Sequence, residues 1–469
     1  MLSLEEKKKA IVQHYIQQRK LPPTTLVQQL QDNVNIETMY AQLVEEVPYN
    51  KRIKILFNYQ KEPQKWTTQH FIEHFNKRYL ALAKILSQRQ ELQNLTSVAR
   101  VAKKQEREKV SLIGMVSDKQ FTKNDNVALV LEDQSGMIKA IVSKKSPAYL
   151  LARDVVFDEV LGVTGTTGNN VLFVDNILLP DVPMTTEMKK APDEAYAIVL
   201  SCIHIGSKKF LQEEFLKFIH WIRGEVGNPT QQAIASKVEY VFVVGDIVDG
   251  VGVYPRQEND LNITDIYAQY QEIARYLRMI PTNKQIILCP GNHDAVRLGE
   301  PQPSIYPDIV KPLLELPNVT FVSNPGMVNV HASDAFPGFD VLMYHGFSYI
   351  YYGDTVESIK KGTRMEDRVG PVMKFLLQRR HLAPSHTSTL YIPDPQSDPL
   401  VIEHVPDIFL SGHLHKAAVG TYRGVTLVAA SCFLAKTEYQ EKFGVEPEPC
   451  RVPLINLRTR EVKMLRFEK

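Results

Sequence analysis

The run YVFVVGDIVDG at residues 240–250 joins five apolar residues directly to a glycine and two carboxylates. A short apolar run rich in β-branched residues suits a strand buried on both faces of a sheet. The same form recurs along the chain. AYAIVL precedes SCIH (201–204), QIILC precedes GNHD (291–294), DVLMY runs into YHG (344–346), and DIFL precedes GHLH (412–415). Helical stretches such as FLQEEFLKFIHWI, residues 210–222, lie between them. This alternation reads as an α/β sandwich over residues 196–469. Ligands of α/β sheets collect outside the carboxyl ends of the strands, so the polar clusters are expected to converge.

The residue types in the clusters fit a pair of divalent cations. Two ions about 3.5–4 Å apart need a shared anion and further nitrogen and oxygen ligands. Asp246 can bridge through its two carboxylate oxygens, and Asn292 adds a neutral carbonyl oxygen. The imidazoles of His204, His345, His413 and His415 favour a transition metal (Mn, with Zn or Fe as alternatives) over Mg. A single histidine after a strand is ordinarily packed or solvated. Here five of the 13 histidines, His293 included, fall in these clusters, which makes coincidence a poor account.

Ahead of residue 196 the pattern is different. Residues 1–104 read as helical: Ile11, Tyr15 and Ile16 share a face, PPTT (22–25) interrupts, and HFIEHFNKRYLALAKILSQR (70–89) is amphipathic. Its basic residues Lys77, Arg78, Lys84 and Arg89 are expected on the polar side. Residues 105–182 carry about five short β runs broken by Gly, Asn and Asp turns, the pattern of a small OB-type barrel. Its aromatics Phe121, Phe157 and Phe173 are few for stacking bases. The polar stretch 183–195 reads as a linker.

With 469 residues the chain needs more than one core. Lys and Arg number 55 against 53 Asp and Glu, so nucleic-acid contact would rest on local patches. No apolar run is long enough for a membrane span, and MLSLEEKKKA is no secretory signal. The scattered cysteines (Cys202, Cys289, Cys432, Cys450) form no CxxC and point to a reducing, intracellular setting such as the cytoplasm.

In order and spacing, GDIVDG, GNHD, the lone His345 and GHLH resemble the calcineurin-like metallophosphoesterases. The longer stretches GDIVDGVGVYPRQE, PGNHDAVRLGEPQP, RRHLAP and PDIFLSGHLH are similar to the small subunits of archaeal family-D DNA polymerases. So is the order helical region, barrel, phosphoesterase domain. That resemblance implies a two-metal 3′–5′ exonuclease that proofreads single-stranded or mismatched DNA 3′ ends. It further implies a role in assembling the large catalytic subunit, with a sliding clamp as a further partner. One metal would take His204, Asp246 and His415, and the other Asp246, Asn292, His345 and His413. His293 would lie beside the scissile phosphate, with Asp294 orienting its ring. Lys208, Lys209, Arg256, Arg297, Arg379 and Arg380 are candidates for DNA-backbone contacts. Tyr349, Tyr351 and Tyr352 are candidates for stacking on a frayed base.

One position departs from the family: Cys202 stands where the first motif should have an aspartate. Three consequences stay open. The first metal binds weakly, or Cys202 ligates as thiolate and tilts the site toward zinc or iron, or the chain is a non-catalytic architectural subunit. A free-standing phosphoesterase acting on small substrates is a further alternative, disfavoured by the residues ahead of the sandwich.

Overall fold

A computed structural model describes residue 8 and residues 53–468, apart from 62–63, 102, 105–106, 362–363 and 443–445. The expected helices around Ile11 and Tyr15 lie outside the described residues. Strand β1 (Ile53–Asn58) leads to helix α1 (Thr68–Leu86). The buried stripe of α1 is His74, Arg78, Leu82 and Leu86, a strict repeat of four, while Leu80 is 48% exposed. Arg78 therefore does not lie on the polar side as expected. Its Nε donates to Asp398 Oδ2 at 2.7 Å, Nη1 donates to the Pro384 carbonyl, and Nη2 donates to the Tyr391 hydroxyl. A buried guanidinium is tolerable only with such partners. His74 and His381 add to the same carboxylate at 3.2 and 2.8 Å.

Strands β2 (Lys109–Phe121), β3 (Val127–Asp133), β4 (Gly136–Val142), β5 (Val160–Gly168) and β6 (Val171–Leu178) close into a barrel in the order β2-β3-β4-β6-β5. The β4–β6 pair is parallel and the others antiparallel, which is the Greek-key order of an OB barrel. Alternate residues fill it: Val127, Leu129 and Leu131 from β3, with Ile138, Ala140 and Val142 from β4. Phe121, Phe157 and Phe173 stay outside and exposed.

The remainder is a two-sheet sandwich. Parallel strands β7 (Tyr196–Leu200), β8 (Val238–Val244), β9 (Gln285–Cys289) and β10 (Val319–Phe321) make most of one sheet. The other contains β11 (Gly326–Val330), β12 (Phe339–Met343), β13 (Ile408–Ser411), β14 (Ala418–Tyr422) and β15 (Val425–Ala429), with β1 at its edge. The antiparallel pair β16 (Arg451–Asn456) and β17 (Val462–Arg466) extends the first sheet beyond β7. Val241 and Val243 of β8 pack under helices α2 (Gln212–Ile222) and α3 (Ile266–Leu277). The opposite face of β8 turns to the second sheet, where the Tyr240 ring meets His331 edge-on at 5.9 Å. Helix α4 (Val369–Arg379) covers the second sheet.

Barrel and sandwich are joined by buried charge. Arg379 pairs with Glu159 of the barrel and donates to the Asp154 carbonyl. Arg380 caps α4 in the left-handed conformation and donates to the carbonyls of Ile402, Glu403 and Asp181. Both arginines are under 4% exposed, so neither is the DNA contact expected from the sequence. Residues 183–195 carry no regular structure and lie along the sandwich, with Lys189 Nζ 2.8 Å from Asp407 and Asp193 3.0 Å from His331.

Candidate metal centre

The five polar clusters follow β7, β8, β9, β12 and β13, at the carboxyl ends of adjacent strands in the two sheets. Five of their non-glycine residues turn the chain with positive φ: Cys202 (50°), His204 (56°), Asp246 (53°), His413 (70°) and His415 (55°). Non-glycine residues rarely hold this conformation, and clusters of them mark sites where geometry is imposed for function. The loops also pack closer than a side chain would permit. A Cβ on Gly291 would lie 2.3 Å from Asp246 Oδ1, and one on Gly412 would lie 1.8 Å from Ser201 Oγ.

These turns bring the donor atoms together. His204 Nε2 and His415 Nε2 lie 3.2 Å apart. His345 Nε2 is 3.1 Å from Asp246 Oδ2 and 3.1 Å from Asn292 Oδ1. Two donors about 2.1 Å from one ion, at tetrahedral to octahedral angles, are roughly 3.0–3.4 Å apart. The spacings are therefore those of edges of a coordination shell. His413 Nε2 is buried without a hydrogen-bond partner among the described residues, a costly orphan unless a cation takes it. The residues present fit a pair of divalent ions. Asp246 Oδ1 accepts the His293 backbone N–H at 2.8 Å, and Oδ2 is also 3.9 Å from His204 Nε2, so this carboxylate lies within reach of the donors on both sides. The Cys202 sulfur belongs to the same set: its Sγ groups with His204 and His415, and again with Asp246 and His345, all within 4.8 Å.

Neighbouring groups hold the rings in position. His204 Nδ1 donates to Asp249 Oδ1 at 3.0 Å and His345 Nδ1 donates to the Val244 carbonyl at 2.8 Å, so each presents Nε2 inward. The Gln440 side-chain amide lies 2.9 Å from His415 Nδ1. Burial and then the charge of His345 push His413 down to about 3. Burial alone would raise the Asp246 carboxyl, but His345, His293 and His204 hold it well below the usual range. Burial would lower His204 and His345, but Asp249 and Asp246 push the first up and Asp246 the second, so metal binding, which requires neutral imidazoles beside the carboxylate, would displace their protons.

His293 and Asp294 are both at the centre but do not pair as expected. His293 Nδ1 donates to the Asp249 carbonyl at 2.8 Å. Asp294 points the other way, accepting from the backbone N–H groups of Gly291 and Ile247 and from the Tyr270 hydroxyl. It braces the loops under Asp246 because two turns and a helix aim their donors at it. Burial and the nearby Asp246 push its carboxyl up to about 6.

A cavity of about 900 Å³ opens over the centre, and Lys209, Tyr254, Ile350 and Leu414 are among its walls. Of the candidate DNA contacts, Lys209 lines it. Lys208 is exposed and donates to the Asn259 carbonyl, and Arg256 is exposed on the loop beyond Tyr254. Arg297 is turned back onto its own loop, donating to the Pro301 carbonyl at 2.6 Å, with its guanidinium 5.2 Å from the Tyr59 ring centroid. Tyr349 and Tyr352 are fully buried and cannot stack on a base. Three residues escaped the sequence reading. Asp249, the second carboxylate of GDIVDG, was the one with a visible signal. Tyr254 and Gln440 had none.

A family model described as calcineurin-like phosphoesterase matches residues 197–417. The DNA polymerase II small subunit of Methanocaldococcus jannaschii is 38% identical over 394 residues, covering 83% of this chain and 64% of that one. That of Archaeoglobus fulgidus is 40% identical over 384 residues, covering 82% and 74%. The chain belongs to the DNA polymerase II small-subunit family. A third small subunit, from Pyrococcus furiosus, is 37% identical over 397 residues, covering 84% of this chain and 63% of that one. The chain thus spans less than two thirds of the M. jannaschii and P. furiosus small subunits. No helix among the described residues is long and apolar enough to cross a membrane.

Proposed function

We propose that this chain is the small subunit of a two-subunit DNA polymerase, hydrolysing phosphodiesters at DNA 3′ ends with two divalent ions and assembling with a large catalytic subunit. In this reading residues 105–182 are the OB domain and 196–469 the phosphoesterase domain. The observation that carries it is the convergence of His204, Asp246, Asn292, His345, His413 and His415 at coordination spacings, with His413 Nε2 otherwise orphaned. Bound there, two ions supply positive charge to the phosphate oxygens and lower the pKa of water. The chain's own residues do the rest. His204 and His415 hold one side, His345, Asn292 and His413 the other, and Asp246 Oδ2 lies between. His293, its Nδ1 committed to the Asp249 carbonyl, leaves Nε2 to the cavity for proton transfer at the phosphate. Lys209 lines the wall, and in this reading it would meet a neighbouring phosphate.

The test is the shortening of end-labelled single-stranded and mismatched DNA with Mn present. Loss from the 3′ end is expected, with His293→Ala about 10²–10⁴-fold slower. DNA left intact by metal-loaded protein sinks the catalytic part of this reading. A second reading, a non-catalytic architectural subunit, is favoured by Cys202 in place of a carboxylate. It predicts assembly with the large subunit and no shortening by either the parent chain or Cys202→Asp.

A further inference from the structure

We propose that Cys202 is itself a metal ligand and makes the His204 side of the pair a thiolate–imidazole site for zinc, while the His345 side keeps only nitrogen and oxygen donors. The inference rests on the two-ion reading above and names which ion each side selects. Cys202 lies at the end of β7 with its backbone turned by the same positive φ as His204, Asp246, His413 and His415. Its sulfur is fully buried and lies with the ring nitrogens of His204 and His415 within a 4.8 Å group, and within a second such group with Asp246 and His345. Together Cys202, His204, His415 and Asp246 are one sulfur, two nitrogens and one oxygen. Four donors of these kinds make a tetrahedral zinc set, whereas Mn prefers oxygen-rich shells.

The other side differs in all its donors but one. Asp246, Asn292, His345 and His413 offer two oxygens and two nitrogens, suited to Mn, with Asp246 common to both. Ligation replaces the thiol proton, which leaves to solvent as the S–metal bond forms. The Cys202 sulfur also meets the Ser201 hydroxyl at 3.2 Å. Cys432 packs beside it in a small apolar cluster and supplies the natural control.

The full chain, stripped and reloaded with Co²⁺, should show an intense near-ultraviolet sulfur-to-cobalt charge-transfer band. Cys202→Ser should abolish it and Cys432→Ser should keep it. Elemental analysis of protein purified with Zn and Mn both present should find one zinc per chain, lost in Cys202→Asp. Absence of the band in the parent chain overturns the proposal, as does a band that survives Cys202→Ser. Neither readout depends on cleavage. Protein with the band but no action on DNA upholds the ligand and sinks the nuclease, and a Mn-dependent nuclease without the band does the reverse.

Discussion

Glu300 lies on the loop that carries GNHD and is 1% exposed, accepting from the Tyr344 hydroxyl at 3.0 Å and from Asn324. Burial pushes its carboxyl up from 4.5 to about 7. The folded chain therefore binds this proton more tightly than the unfolded chain does. Its stabilising effect is complete below about pH 4.5 and lost as pH rises through about 7. Glu300→Gln keeps a neutral group at all pH, so its stability relative to the parent should improve between pH 5 and pH 8 by on the order of 3 kcal/mol. Denaturant midpoints of both proteins at the two pH values check this, and an unchanged difference refutes it. Donor identity was legible at this scale because five histidines recur in clusters after apolar strands, although any one of them alone would read as packed or solvated. Orientation was not. Nothing in GNHD says that Asp294 turns inward to the Tyr270 hydroxyl while a carbonyl from GDIVDG holds His293, since both partners come from elsewhere in the chain.

Among the elements, α1 carries the clearest lesson. Its period was readable, yet the buried stripe runs through His74 and Arg78 because the surface it meets offers Asp398, the Pro384 carbonyl and Tyr391. Those partners come some 300 residues later, so no local pattern announces them. Removing one member of a buried ion pair strands the other, at a cost of about 3–5 kcal/mol. Arg78→Met should lower stability by that amount in denaturant unfolding, while Lys77→Met, one residue away and exposed, should change little. Equal effects from the two would place α1 elsewhere. Within the barrel, by contrast, β3 and β4 were readable from the sequence. Interior positions alternate on β3 and β4, and that alternation is local.

At the scale of the whole molecule, the order of barrel and sandwich was legible from the change of period near residue 196, but their union was not. It depends on Arg379 and Glu159, each of which reads as a solvent-facing charge until the other is beside it. Arg380 misled in the same way: a basic pair near a phosphate site suggests DNA, and here it fills the seam between domains.

The donors of the centre come from both halves of the sandwich, His204, Asp246 and Asn292 from one sheet and His345, His413 and His415 from the other. Ions bound there act as a rivet through two plates. Chelation should loosen both plates at that rim together, with amide hydrogen exchange rising at residues 200–205 and 411–416 while β5 of the barrel stays protected. At ligand concentrations a thousandfold above Kd the rivet is worth about 4 kcal/mol. Exchange that rises on one plate alone would show that the ions fasten nothing. If both rise, the protein's grip on its metals and the closure of its sandwich are one mechanical property.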